Sequence, residues 1–335
     1  MPKIGLILNN IGTPRSAAPK DVAVYLNEFL MDPDVIGLPY LLRALLVKGI
    51  IVPFRSKSSA KKYQAIWSER GSPLLYLTEE LQNQLQIHLG ETYSVKIGMR
   101  YGQPSLENAL KQLQQEGVQD VIFAPLFPQY SEATTASASK YFEILNKKHG
   151  FKSKILKPFY KEQFFLLPSV ALILEKIKST KPDYFLFSYH GLPESLVKKT
   201  PDCLQENCCI AVGACEKNCY KAQCHRTSEL LAGQLGLSND HWSTSFQSRL
   251  GPAKWIGPST IEESDRILAL GKTSVCVVAP SFVTDCLETA EELGIELNQH
   301  FKNRTGKDLD LVPCLNGSSE WAAAFATYIK KNFNF

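Results

Sequence analysis

Residues 184–193 read YFLFSYHGLP, and this stretch decides the fold. A short apolar run, Tyr184 to Phe187, ends in Ser188, Tyr189, His190, Gly191 and Pro193. Such a run, closed by a Gly and Pro turn, suits a strand buried on both faces, as in a parallel sheet covered by helices. His190 stands at its carboxyl end, and Gly191 permits close approach. A histidine there is placed to act as a base or a ligand. The plain alternative is a structural histidine satisfied by its neighbours. The other five, His88, His149, His225, His241 and His300, lie in polar or helical contexts.

Similar strand-like runs occur at 4–8, 95–99, 121–124, 242–246 and 275–279. Between them lie helical patterns at 78–89, 105–115, 163–177, 227–235 and 287–301. This alternation predicts an α/β fold with parallel sheets. A weak repeat runs through it. Ala124-Pro125-Leu126-Phe127 ends one strand, and Ala279-Pro280-Ser281-Phe282 ends another. Met99-Arg100-Tyr101 and Gln247-Ser248-Arg249 each leave a strand for a Gly/Pro loop. Two similar doubly wound halves follow, 1–160 and 161–335, with ligands expected beyond the carboxyl ends of the strands. The unusual residues cluster at those ends, so a cleft between the halves is the working expectation.

The chain has 335 residues, 44% hydrophobic content and a formal charge of +4, enough for a large core. Lys and Arg are spread rather than striped, which argues against nucleic acid as partner. MPKIGLILNN has too short an apolar run for a secretory signal, so a cytoplasmic chain is expected. The most apolar stretch, 37–54, is GLPYLLRALLVKGIIVPF, interrupted by Arg43 and Lys48. It reads either as a partly buried helix pair or as an apolar lip that touches a membrane surface peripherally.

Two further segments carry chemistry. In 280–292, PSFVTDCLETAEE, a helix beginning near Thr284 or Asp285 would put Asp285, Glu288 and Glu292 on one face. Acidic residues in a first turn are common caps. Three carboxylates in line also suit the handling of protons or a loosely held cation. Asn9-Asn10-Ile11-Gly12-Thr13-Pro14 has a glycine after the first strand but lacks the further glycines of a dinucleotide fingerprint. No phosphate loop or nucleophile elbow is present.

Taken together, the segments resemble the ferrochelatase family. They are NNIGTP, 21–25 running into FLMDPDVI, Tyr63 with Gly71-Ser72-Pro73, GMRY at 98–101, FPQYSEATTAS, SYHGLP, FQSRLGP–W–GPST and FVTDCLETAEEL. They run in order over nearly the whole chain. The resemblance implies two similar Rossmann-like domains of chelatase type around a porphyrin cleft. It also implies insertion of Fe²⁺, as substrate, into protoporphyrin IX, with release of two protons. Residue by residue, it makes His190 and Glu288 the iron-site pair, with Asp285 and Glu292 as an acidic path. Ile11, Arg100, Tyr130, Trp255 and Phe282 match positions that line or border the cleft. Ser72 and Tyr63 fall in a matched cleft-edge segment.

A flat porphyrin crowds its nitrogens in plane, so a cleft that favours a saddled ring would stabilise the distortion through remote contacts. A neutral imidazole near pH 7 is a suitable acceptor for pyrrole protons, and that role falls to His190. Two departures stand out. Coproporphyrin-using relatives carry a tyrosine where Ile11 stands, so the apolar side chain favours protoporphyrin. Cys286 occupies a position that is histidine in animal relatives; it reads as a small buried filler or a soft ligand.

Six of nine cysteines fall within 203–224, spaced Cys203-x4-Cys208-Cys209-x5-Cys215-x3-Cys219-x4-Cys224. One local cluster in a large α/β chain points to a metal or iron–sulfur centre rather than a secreted disulfide framework. The spacing lacks the C-x2-C pairs of zinc sites. Relative to shorter family members, about 199–217 is an insertion. Some bacterial ferrochelatases look similar there and hold a 2Fe–2S cluster, which implies four ligands from Cys203, Cys208, Cys209, Cys219 and Cys224. Zinc, or redox-labile thiols, are the alternatives. A cobalt chelatase acting on a sirohydrochlorin-type ring and a porphyrin carrier remain as other readings, and a homodimer as an assembly.

Overall fold

The structure, a computed structural model, describes residues 3–197, 214–249 and 253–335. Apart from a short parallel pair, Gly12–Thr13 with Tyr101–Gly102, its strands are β1 (Ile4–Asn9), β2 (Tyr93–Ile97), β3 (Asp120–Pro125), β4 (Lys152–Ile155), β5 (Tyr184–His190), β6 (Trp242–Gln247), β7 (Val275–Val278) and β8 (Asp310–Leu311). They form two four-stranded sheets, ordered β2-β1-β3-β4 and β8-β7-β5-β6. Every neighbouring pair is parallel. Numbered within its own sheet, each reads 2-1-3-4. The strand order therefore reverses between β1 and β3 in one sheet, and between β5 and β7 in the other. Ligands of open α/β sheets bind outside such a switch point.

The strands form where buried apolar residues run together. Tyr184 through Tyr189 are all buried in β5, and Gly5 through Asn9 in β1. Two strands carry no such signal. β4, KSKI, is a largely exposed edge strand whose lysines face water. β8 has two residues, too few to show a period.

The repeat extends into local detail. Ser105 caps the helix Leu106–Gln115 by accepting from the Asn108 amide. Ser259 caps Thr260–Ala269 in the same way, and the Glu262 side chain returns the bond to complete a capping box. The glycine beyond each first strand is also constrained. A Cβ on Gly12, whose φ is +104°, would lie 1.8 Å from the Tyr101 carbonyl oxygen; on Gly191 it would lie 2.6 Å from that of Gln247. In each case the backbone leaving the second strand approaches too closely for a side chain.

Two compact units are present. The first is Met1–Leu126, Glu132–Lys157 and Asn316–Phe335; the second is Phe127–Ser131 and Pro158–Leu315. The helix Ser319–Asn332 packs against Pro73–Leu89 in the first unit, and Gly317 sits against Glu80 with no room for a Cβ. In the second unit Tyr184, Leu186, Val275 and Val277 pack with Leu293, Leu297 and Phe301.

Three segments differ from their sequence-based expectation. Residues 287–301 are not one α-helix: Glu288–Leu297 is a π-helix, followed by an α-helix at Asn298–Thr305. The helix expected at 227–235 begins two turns earlier, as Tyr220–Gln234. Residues 37–54 fold into Tyr40–Leu46, a π turn Val47–Ile51 and the start of Val52–Ile66. Leu41, Leu45 and Phe54 there are 74%, 70% and 78% exposed. Arg43, which interrupts the stretch in sequence, is buried and donates to the carbonyls of Ile36 and Leu38. The outward face is thus more apolar than the sequence suggests. Among the described residues, no helix is long and apolar enough to cross a membrane.

Candidate active site

His190 ends β5 at the switch point of the second sheet, and its own peptide is held on both sides. Its amide donates to Ser281 Oγ at 3.2 Å. Its carbonyl accepts from Tyr220 Oη at 2.8 Å. The ring Nδ1 lies 2.6 Å from the Gly191 carbonyl oxygen. A carbonyl only accepts, so Nδ1 carries the hydrogen, and the neutral ring keeps its lone pair on Nε2. The Phe282 ring meets the imidazole edge-on, with centroids 6.4 Å apart.

The loop after His190 is clamped to the strand beside it. Gly191 donates to the Gln247 carbonyl, and Ile256 to that of Leu192. Pro193 pairs with Trp255, placing that tryptophan against the histidine loop. Gln247 also orders the acidic segment: its side-chain amide donates to the Glu288 carbonyl at 2.7 Å and reaches Glu292 Oε2 at 3.4 Å. Ser188 Oγ fixes that amide from behind, donating to Oε1 at 2.8 Å. Ser248, at a φ of +66°, donates its hydroxyl to Glu292. A non-glycine residue in this region is uncommon and is held there by its surroundings.

The carboxylates do not share an α-helical face as expected. Asp285 lies before the helix, accepting from Thr289 Oγ1 at 2.8 Å and from the Cys314 amide at 3.2 Å. It thus ties the segment before the helix to the Thr289 side chain and the Cys314 backbone. Glu288 and Glu292 stand on the π-helix, one wide turn apart, and exposed Glu296 continues the same step. π turns widen the hydrogen-bond ring to i→i+5 and occur often at functional sites. Sequence periodicity does not distinguish them from α turns. Burial, with the charge of Glu288 beside it, pushes the Cys286 thiol well up, so it stays protonated and donates to Glu288. Cys286 therefore behaves as a buried donor.

Tyr130 lies in the Phe127–Ser131 segment of the second unit, with its amide bonded to Gln223 Oε1 at 2.7 Å. Cys215, Cys219 and Cys224 are buried. Cys203, Cys208 and Cys209 lie outside the described residues, as does most of the expected insertion. Among the described residues, no group of three or more His, Cys, Asp or Glu side chains is arranged to hold a metal ion.

In the first unit, Ile11 and Arg100 are neighbours through backbone bonds: Arg100 donates to the Asn10 carbonyl, and Tyr101 to that of Ile11. The Arg100 guanidinium pairs with Asp32, donates to Ser137 Oγ at 3.0 Å and lies over the Tyr101 and Tyr141 rings. Burial would raise the Asp32 carboxyl, but bonds from Tyr101, the Asp34 amide and Ser137, with the Arg100 charge, hold it below the usual range. Ser72 Oγ accepts from Thr13 Oγ1 at 2.7 Å, and Tyr63 is buried against Trp67.

Several site residues escaped sequence reading. Tyr220, Gln223 and Ser281 bond the His190 and Tyr130 segments; Ser281 lay in the repeated strand ending, but no motif marked any of the three for this role. Gln247 was visible as a polar residue closing a strand, without its role.

A 2-1-3-4 parallel sheet used twice, with a histidine at a switch point, is a chelatase-type α/β architecture. The sirohydrochlorin chelatase SirB from Bacillus subtilis subspecies spizizenii, solved with cobalt, superposes with a TM-score of 0.54. That match has 10% identity and covers 99% of this chain and 95% of that one, a likeness of fold. The ferrochelatase family model matches residues 3–333. A ferrochelatase from Bdellovibrio bacteriovorus is 45% identical over 333 residues, covering 98% of this chain and 99% of its own. One from Coxiella burnetii is 43% identical over 335 residues, covering 98% and 94%. The chain belongs to the ferrochelatase family.

Proposed function

We propose that this enzyme inserts Fe²⁺ into protoporphyrin IX, the last step of protohaem formation, with His190 taking pyrrole protons. Membership of the ferrochelatase family carries the reaction class, iron insertion into a porphyrin. The observation that supports the role of His190 is its tautomer: Nδ1 is bonded to a carbonyl, which leaves Nε2 as the acceptor. Glu288 acts with it as metal contact or proton relay, and Glu292 and Asp285 extend the path. Phe282, Trp255 and Tyr130, with Ile11 and Arg100, serve as contacts to the macrocycle. Apolar Ile11 supplies no oxygen ligand, which favours protoporphyrin over coproporphyrin. Anaerobic Fe²⁺ addition to protein with either porphyrin tests this. Protoporphyrin fluorescence should fall as haem absorbance rises; a rate several-fold higher with coproporphyrin would overturn the choice of substrate.

A 2Fe–2S cluster on four of Cys203, Cys208, Cys209, Cys219 and Cys224 is part of the same proposal. Two buried cysteines at the start of one helix, Cys219 and Cys224, suit a soft metal centre. Such a group cross-links the segment that binds it and takes up one electron. Anaerobically purified protein should contain iron and acid-labile sulfide; colourless protein lacking both would refute it.

The exposed apolar face of 37–54 is proposed to touch a membrane surface from the cytoplasmic side, with a homodimer as the competing use of that face. Leu41→Glu with Leu45→Glu should abolish co-sedimentation with anionic vesicles. Sedimentation velocity of the same pair distinguishes loss of a dimer.

A further inference from the structure

The helix Tyr220–Gln234 begins directly after Cys219 and carries Cys224 in its second turn. Along it, Tyr220, Gln223 and Thr227 follow an i, i+3, i+7 spacing that places them on one side. All three are buried, and each bonds to a different segment. Tyr220 Oη donates to the His190 carbonyl at 2.8 Å. Gln223 accepts from the Tyr130 amide at 2.7 Å, and its own amide donates to the carbonyls of Glu216 and Lys217. Thr227 Oγ1 donates to the Tyr160 carbonyl at 3.0 Å and accepts from Gln129, which also reaches the Pro280 carbonyl. This side of the helix is a row of buried neutral polar groups, each bonded to residues outside the helix. A buried face of this kind is ordinarily apolar.

The Tyr220 contact bears most directly on chemistry. The His190 carbonyl projects beyond the last bond of its strand, where an unmet acceptor would be costly. Tyr220 meets it from one element while Ser281 Oγ meets the amide of the same residue from another. Both peptide groups that set the direction of the His190 side chain are thus fixed by side chains, with no freedom left to the loop alone.

We infer that Tyr220 is a positioning residue for iron insertion, holding the His190 backbone at the angle that aims the imidazole and tying it to the cysteine-bearing helix. This rests on His190 acting in insertion. Tyr220 does not reach the reacting atoms; it acts through the histidine. A displacement of about 1 Å at a catalytic group costs up to about 10²-fold in rate.

The test replaces Tyr220 in the full chain by phenylalanine and, separately, by p-aminophenylalanine, which retains an N–H donor at the same end of the ring. Steady-state insertion is measured anaerobically with Fe²⁺ and porphyrin. Tyr220→Phe should lower kcat at least tenfold and leave the porphyrin KM within about twofold. The amino analogue should recover most of the rate. Equal kcat in wild type and the phenylalanine variant would overturn the inference. So would equal losses in the two variants, because the ring environment rather than the donor would then be responsible. If the phenylalanine variant fails to fold, the amino analogue against wild type still decides: a folded analogue with a kcat loss of tenfold or more overturns the inference. Failure of wild-type protein to insert iron would instead remove the functional reading on which this stands.

Discussion

At the carboxyl edge of the first sheet a cation meets a carboxylate: Arg100 pairs with Asp32, and Tyr101 and Ser137 complete the bonds. At the matching edge of the second sheet stand the His190 imidazole and a set of carboxylates, with Gln247 and Ser248 donating to Glu292 and Thr289 to Asp285. The two edges share strand order, a glycine beyond the first strand and a serine-capped helix. They differ in electrostatics. A matched ion pair with its remaining lone pairs bonded is a fixed anchor. Carboxylates steadied by neutral donors keep their charge available to a proton or a cation. The duplicated scaffold thus carries two different charge arrangements on like sheets.

The largest effect expected from this contrast is at His190. His190→Ala should reduce iron insertion by roughly 10³-fold, within the range for loss of a general base, while porphyrin still binds by fluorescence quenching and the melting temperature is unchanged. A variant with near-normal turnover would break the assignment. Glu288→Gln should follow, at about 10²-fold, again with little change in melting.

Asp32→Asn belongs to the other class. Leaving Arg100 without its carboxylate should cost about 3 kcal/mol, read as a lower denaturant midpoint. The pH dependence sharpens it. Asp32 is held below its ordinary value of 3.8, so the stabilisation from its ionised form is fully present above that pH. It is lost as pH falls through the lower folded value. Wild type should exceed Asp32→Asn above about pH 4, and the gap should narrow below it. A gap that is constant with pH would show that the carboxylate charge is not what stabilises this edge.

The smallest effect is expected at Ser248. Ser248→Gly relieves a positive φ, a gain of up to about 1 kcal/mol, but removes the hydroxyl from Glu292. Stability should hold or rise slightly while insertion falls a few-fold. A drop in stability with full activity would reverse the reading of Ser248 as strain kept for the site.

Much of this contrast was legible in residue order. Apolar runs marked six of the eight strands in the two four-stranded sheets, because a strand buried on both faces must be largely apolar. The paired Ala-Pro endings and polar loops betrayed the duplication. His190 and Glu288 could be named from motifs. β4 could not, since an edge strand such as KSKI is polar. Nor could Arg43: a charge in an apolar stretch reads as an interruption, and its inward turn depends on the carbonyls of Ile36 and Leu38.

The sequence by itself determined the α/β class, the two like sheets and the family, because these follow from local burial patterns and from ordered motifs. Tertiary structure alone decided the rest. Glu288 and Glu292 stand on a π-helix, with Asp285 bonded to Thr289 just before it, since α and π turns bury similar apolar spacings. The final helix packs in the first unit, since such pairing links residues far apart in the chain. The His190 backbone is bracketed by Tyr220 and Ser281, 30 and 91 residues away. Hydrogen bonds over such separations leave no period in the sequence, and they set where the imidazole points.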